Sequence, residues 1–75
     1  MTSNKQPTAA MIVIGNEVLS GRTKDKNIGW VAEQLEQNGI KLVEARIIRD
    51  DQETIISTIK EIYKIVDYVF TTGGI

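Results

Sequence analysis

The sequence predicts an α/β fold, ordered β-α-β-α-β around parallel strands. Three observations carry this reading. Two short, nearly all-apolar runs, residues 9–14 and 68–70, each open into a loop that contains glycine. Between them lie two segments whose apolar residues recur at helical spacing, with a third strand-like run at residues 40–48 separating them. Alternating strand and helix makes successive strands run parallel through right-handed crossovers.

Residues 1–8 include Lys5 and Pro7 but no apolar stretch, and are expected to be a disordered leader. Residues 9–14, Ala-Ala-Met-Ile-Val-Ile, form the first strand. A run without polar interruption suits a strand covered on both faces. Gly15-Asn16-Glu17-Val18-Leu19-Ser20-Gly21 and the polar stretch to Lys26 read as a long functional loop. The first helix starts near Asn27, an N-cap residue type, and buries Ile28, Val31, Ala32 and Leu35 along one stripe. Trp30 lies off that stripe, as flanking core or a subunit contact rather than a ligand-stacking ring. Asn38-Gly39 stops the helix, with Gly39 suited to the left-handed position just past its end.

Residues 40–48 form the second strand, placed toward a sheet edge because Lys41, Glu44 and Arg46 interrupt it. The second helix spans residues 52–64, with Ile55, Ile56, Ile59, Ile62, Tyr63 and Val66 as its apolar stripe. Residues 67–71 form the third strand. The expected spatial order is 2-1-3, with the two helices on opposite faces. The reversal between strands 1 and 3 opens a crevice at their carboxyl ends, where α/β sheets hold ligands. The two most unusual loops, residues 15–21 and 71–74, border that crevice.

The 75 residues suffice for at most one small domain. A domain is not expected to end on a loop such as Thr71-Thr72-Gly73-Gly74, so residues 9–75 read as the amino-terminal part of a larger domain. Without cysteine or histidine there is neither a disulfide framework nor a zinc cluster. The lack of cysteine fits a reducing cytosol, and a cytoplasmic location is expected. A formal net charge of −1 gives no electrostatic footprint for nucleic acid or an anionic membrane. No apolar run approaches the ~18 residues of a membrane span.

The first loop lacks the G-x-G-x-x-G spacing of a dinucleotide fingerprint, and no Lys-Ser or Lys-Thr follows a glycine as in a P-loop. Ser20 has no histidine to activate it. Glu17, two residues past the first strand-and-glycine, is a candidate cation or hydroxyl ligand, set against a solvated acid paired with Arg22. Asn16 and Ser20 are candidate hydrogen-bonding contacts. Asp50 with Glu53, or Asp51 with Thr54, would cap the second helix, and the neighbouring carboxylates can divide capping from ligand contact. Thr71, Thr72, Gly73 and Gly74 exceed what a tight turn needs and favour an anion site, since glycines permit close approach of backbone N–H groups.

These residues together resemble the molybdopterin-binding domain family of molybdenum-cofactor biosynthesis, and within it the amino-terminal domains of CinA type. The carriers are Ala10-Met11-Ile12-Val13-Ile14-Gly15-Asn16-Glu17-Val18-Leu19-Ser20-Gly21, Asn27, Gly39-Ile40, Asp50-Asp51 and Thr71-Thr72-Gly73-Gly74-Ile75. The resemblance implies a three-layer α/β/α sandwich whose sheet continues beyond this chain. Asp50 falls where an acid serves ligand handling, and Thr72, Gly73 and Gly74 fall on the phosphate-binding loop. Gly15, Glu17, Ser20 and Gly21 fall on the opposing loop. Asn16 stands where many relatives carry aspartate, so no metal position is implied there. The implied ligand is molybdopterin or an adenine nucleotide, and the implied activity is Mg²⁺- or other divalent-cation-dependent hydrolysis of ADP-ribose-type phosphoanhydrides. Glu17 and Asp50 would be its catalytic acids. This part of the domain by itself is expected to be inactive. The full-length protein is expected to be a homo-oligomer with a small phosphate ligand as partner. The alternatives are a non-catalytic binding or assembly module and an inactive truncated product.

Overall fold

The computed structural model describes residues 6–16 and 27–73. It contains β1 (Thr8–Ile14), α1 (Asn27–Gln37), β2 (Lys41–Ile48), α2 (Gln52–Ile62) and β3 (Tyr68–Thr72). The three strands are parallel and lie in the order β2-β1-β3, as expected. The least polar strand is therefore the one with neighbours on both sides. Every residue of β1 after Thr8 is buried, on both faces of the sheet.

Alternation along β1 assigns the core to two layers. Ala10, Ile12 and Ile14 point to one face and form a cluster with Ile62 of α2. Ile48, Ile55, Ile59, Val66 and Val69 pack around it. On α2 the packed residues Ile55, Ile59 and Ile62 follow helical spacing, whereas Val66, expected on the same stripe, packs on the core from the turn after the helix. Ile56 and Tyr63, expected on the same stripe, are exposed instead. They lie one residue past Ile55 and Ile62, about 100° around the helix, which turns them out of the contact. Ala9, Met11 and Val13 face the other way and are equally buried. The right-handed crossover rule puts α1 on that second face, where it contacts β2. Ile28, Val31, Ala32 and Leu35 are half-buried, whereas Trp30 is 62% exposed.

Register explains the polar residues of β2. Ala10 pairs with Glu44 and Ile12 with Arg46, so Glu44 and Arg46 share the α2 face of the sheet. There the Arg46 guanidinium joins Glu44 and reaches Glu61 of α2 at 2.6 Å. These two hydrogen bonds, Glu44 first, raise Arg46 above its ordinary pKa. The register slips between Ala9 and Ala10, leaving Val43 as an extra residue in an edge strand, where bulges are common.

The element ends follow local hydrogen bonding. At the end of α1 the N–H of Gly39 donates to the Glu36 carbonyl and that of Ile40 to the Leu35 carbonyl, with Gly39 at φ 79°. This is a Schellman pattern, and it puts Gly39 in the left-handed position expected of it. β1 begins at Thr8, inside the stretch assigned to the leader. The reason is Asp67, whose carboxylate accepts from the Thr8 N–H at 2.8 Å and from its hydroxyl. The Asp67 N–H donates in turn to the Thr8 carbonyl, which ties the amino ends of β1 and β3 together.

Candidate functional site

The strand order brings three chain segments to one edge of the sheet, at the carboxyl ends of β2, β1 and β3. The β1–β2 side is joined by hydrogen bonds. The Gly15 N–H donates to the Ile48 carbonyl at 3.0 Å. The Asn16 side-chain oxygen accepts from the Asp50 N–H at 3.1 Å, across 34 positions of sequence. The β1–β3 side is joined by packing. Val13 pairs with Thr72, and the next residue, Gly73, sits against the Ile14 carbonyl so closely that a Cβ there would overlap its oxygen. Gly73 has φ 73°, a conformation that side chains disfavour.

Gly15, Asn16, Asp50, Thr72 and Gly73 are thus brought together. Thr71 pairs with Ile12 and Thr72 with Val13, so the two hydroxyls project to opposite faces of β3. Glu17, Ser20, Gly21 and Gly74 lie outside the described residues.

The paired acids have separate roles. Asp51 is the N-cap of α2: its carboxylate accepts from the Thr54 N–H at 3.0 Å and the Thr54 hydroxyl at 2.8 Å. Those bonds hold its carboxyl below the ordinary range, the hydroxyl contributing most, with the charge of Arg49 a smaller cause. The carboxylate of Asp50 is exposed. Sequence reasoning passed over Arg49, which follows β2 directly and stands beside Asp50. Its Nε lies 3.4 Å from the Thr54 hydroxyl, so the only cation among residues 49–54 rests over the first turn of α2. Its signal was a guanidinium immediately after a strand end, at the edge where a ligand was expected.

The cap yields a test. Asp51→Ala is expected to lower the melting temperature by several degrees, and Asp51→Asn by much less, because asparagine also caps well. A folded-state carboxyl pKa below the unfolded one stabilises above the unfolded value and loses that contribution as pH falls through the folded value. The advantage of aspartate over asparagine should therefore hold at neutral pH and fade below about pH 4. Melting curves of both variants across pH 2–7 check this; an advantage independent of pH would remove the charged cap.

A surface hollow of about 300 Å³, lined by Gln6, Pro7, Asp67 and Tyr68, lies at the amino ends of the strands. It is roughly 20 Å from the edge just described, the length of a strand such as β1. No helix among the described residues is long and apolar enough to cross a membrane.

Comparison with known proteins agrees with this fold. Residues 10–75 match the family model described as "Probable molybdopterin binding domain". The chain belongs to this family. Among its relatives is a CinA-like protein of Prochlorococcus marinus, 35% identical over 75 residues, covering 100% of this chain and 18% of that protein. Another CinA-like protein, from Flavobacterium psychrophilum, is 34% identical over 67 residues, covering 89% of this chain and 16% of that protein. A probable FAD synthase of Caenorhabditis briggsae is 31% identical over 75 residues, covering 100% of this chain and 14% of that protein. The crystal structure of the protein CinA from Thermoplasma acidophilum, described as of unknown function, superposes with a TM-score of 0.85 at 28% identity. It is matched over 92% of this chain and 41% of its own. The chain therefore spans under a fifth of these curated relatives and two fifths of the solved family structure.

Proposed function

We propose that this chain supplies one wall of a binding site for a phosphate-bearing pterin or adenine nucleotide. The observation that supports this is the packing of Gly73 on Ile14, which holds the turn after β3 against the turn after β1. Glycine lets a ligand approach the backbone N–H groups closely, and turns that include a left-handed residue are where anion-binding concavities form. Arg49 adds a positive charge at the same edge.

A hydrolytic version of this reading would have water attack one phosphorus of a phosphoanhydride, with the bridging oxygen leaving on the other phosphate. A divalent cation, when bound, would neutralise charge on the phosphates. Among the described residues no three acidic, histidine or cysteine side chains gather, and Asp50 brings a single carboxylate to the edge. Hard cations of this kind ask for several oxygen ligands in fixed geometry. The described residues do not fit a resident cation, and ligand binding is the function their geometry supports best.

Titration calorimetry of the full-length protein with ADP and with a pterin phosphate tests the reading. Heat is expected with at least one. Absence of heat with both would favour the second reading, a module that keeps the fold for assembly. If ADP-ribose is turned over in the presence of Mg²⁺, Asp50→Asn should lower the turnover and leave melting unchanged. Unaltered turnover would remove Asp50 from the site.

A further inference from the structure

We propose that Asn16 presents hydrogen-bond donors to the ligand, so that a phosphate group binds this edge directly and not as a cation chelate. The inference rests on the phosphate-site reading above and deepens it. The Asp50 backbone N–H only donates, so the side-chain atom 3.1 Å from it must be the Asn16 oxygen. That bond fixes the orientation of the carboxamide. The Nδ2 branch then points away from the Asp50 N–H, with two N–H groups to donate. Asn16 is exposed, so those donors are open to a ligand from solvent. An amide nitrogen offers nothing to a hard cation, whose ligands are oxygens. It suits a phosphate oxygen.

Charge makes the same distinction. Asp50 is an exposed acid on the neighbouring strand end, bonded through its backbone to Asn16. A carboxylate at position 16 would stand beside that of Asp50. Two adjacent acids repel a phosphate and attract a divalent cation. Asparagine keeps the accepting oxygen that holds the turn between β2 and α2, while leaving the edge with one acid instead of two. Asn16 is in this sense both a positioning residue for Asp50 and a selector of ligand charge.

The test uses Asn16→Asp, which conserves shape and the oxygen that accepts from Asp50. Mn²⁺ alone, followed by electron paramagnetic resonance of the full-length protein, should bind the variant at least about tenfold more tightly than the native protein. ADP titrated in EDTA should bind the variant about tenfold more weakly, the scale of one lost hydrogen bond to a charged group. Mg²⁺ should restore that affinity in the variant and leave the native protein unchanged within about twofold. Equal Mn²⁺ affinity in the two proteins, or undiminished ADP binding by Asn16→Asp in EDTA, would overturn the inference. Failure of the native protein to bind ADP would count against the phosphate-site reading, while the Mn²⁺ comparison still decides the role of Asn16. If Asn16→Asp does not fold, Asn16→Ala replaces it. That variant should lose ADP affinity without recovery by Mg²⁺, and recovery would refute the donor role.

Discussion

Gly73→Ala should lower the melting temperature of the chain by more than ~10 °C and remove ligand binding with it. Two costs combine at this position. An alanine at φ 73° occupies the left-handed region, which disfavours a Cβ by about 1–2 kcal/mol. The same Cβ would overlap the Ile14 carbonyl, a backbone group that yields only if β3 shifts against β1. Overpacking of this kind costs about 1–3 kcal/mol. The sum is a large part of the ~5–15 kcal/mol by which a native domain is stable. Thermal denaturation followed by circular dichroism measures it. A fall of less than ~4 °C would mean that the turn after β3 relaxes freely and is not held against β1. Gly39→Ala is the control: it has a similar φ of 79° but open space around its Cβ, so it should incur the conformational cost alone.

Ile62→Ala is expected to destabilise by about 2–5 kcal/mol, and Ile65→Ala by no more than ~0.5 kcal/mol. The substitution is the same and the positions are three apart, but Ile62 is fully buried and Ile65 is 62% exposed. Ile62 is the one residue of α2 in the central cluster with Ala10, Ile12 and Ile14, so its loss opens a cavity under the middle strand. Urea denaturation of the two variants provides the comparison. Similar midpoints would show that α2 does not close over β1 as described.

The path of the chain was readable because hydrophobic patterning and turn chemistry agree. The unbroken apolar run of β1 marked a strand enclosed on both faces, and Asn38-Gly39 marked a helix end with Gly39 in the left-handed conformation. Capping of α2 was legible only as a choice between Asp50 with Glu53 and Asp51 with Thr54. The pattern admits both, and the geometry selects Asp51. Ile56 and Tyr63 misled for a physical reason. Hydrophobicity alone does not say how wide a helix stripe is, and here β1 and its neighbours cover a narrow one.

That the described candidate residues lie together was legible in outline, because topology brings the strand ends to one edge. Its connections were not. The bond from the Asp50 N–H to the Asn16 oxygen joins residues that only the fold makes neighbours, and Arg49 looked like an ordinary strand-end charge. Glu17, Ser20, Gly21 and Gly74 lie outside the described residues and rest on the sequence reading alone.

The enclosed middle strand has one more consequence, for how members of this fold diversify. β1 contributes no polar side chain to its own interior, so chemistry falls to the tips of three strands. On the binding reading proposed above, exchanges at the exposed Asn16, Arg49 or Asp50 would retune what is recognised without touching the packed layers. Gly73 breaks this separation. Adaptation is free to rewrite its neighbours, but any new ligand preference has to be built around that glycine.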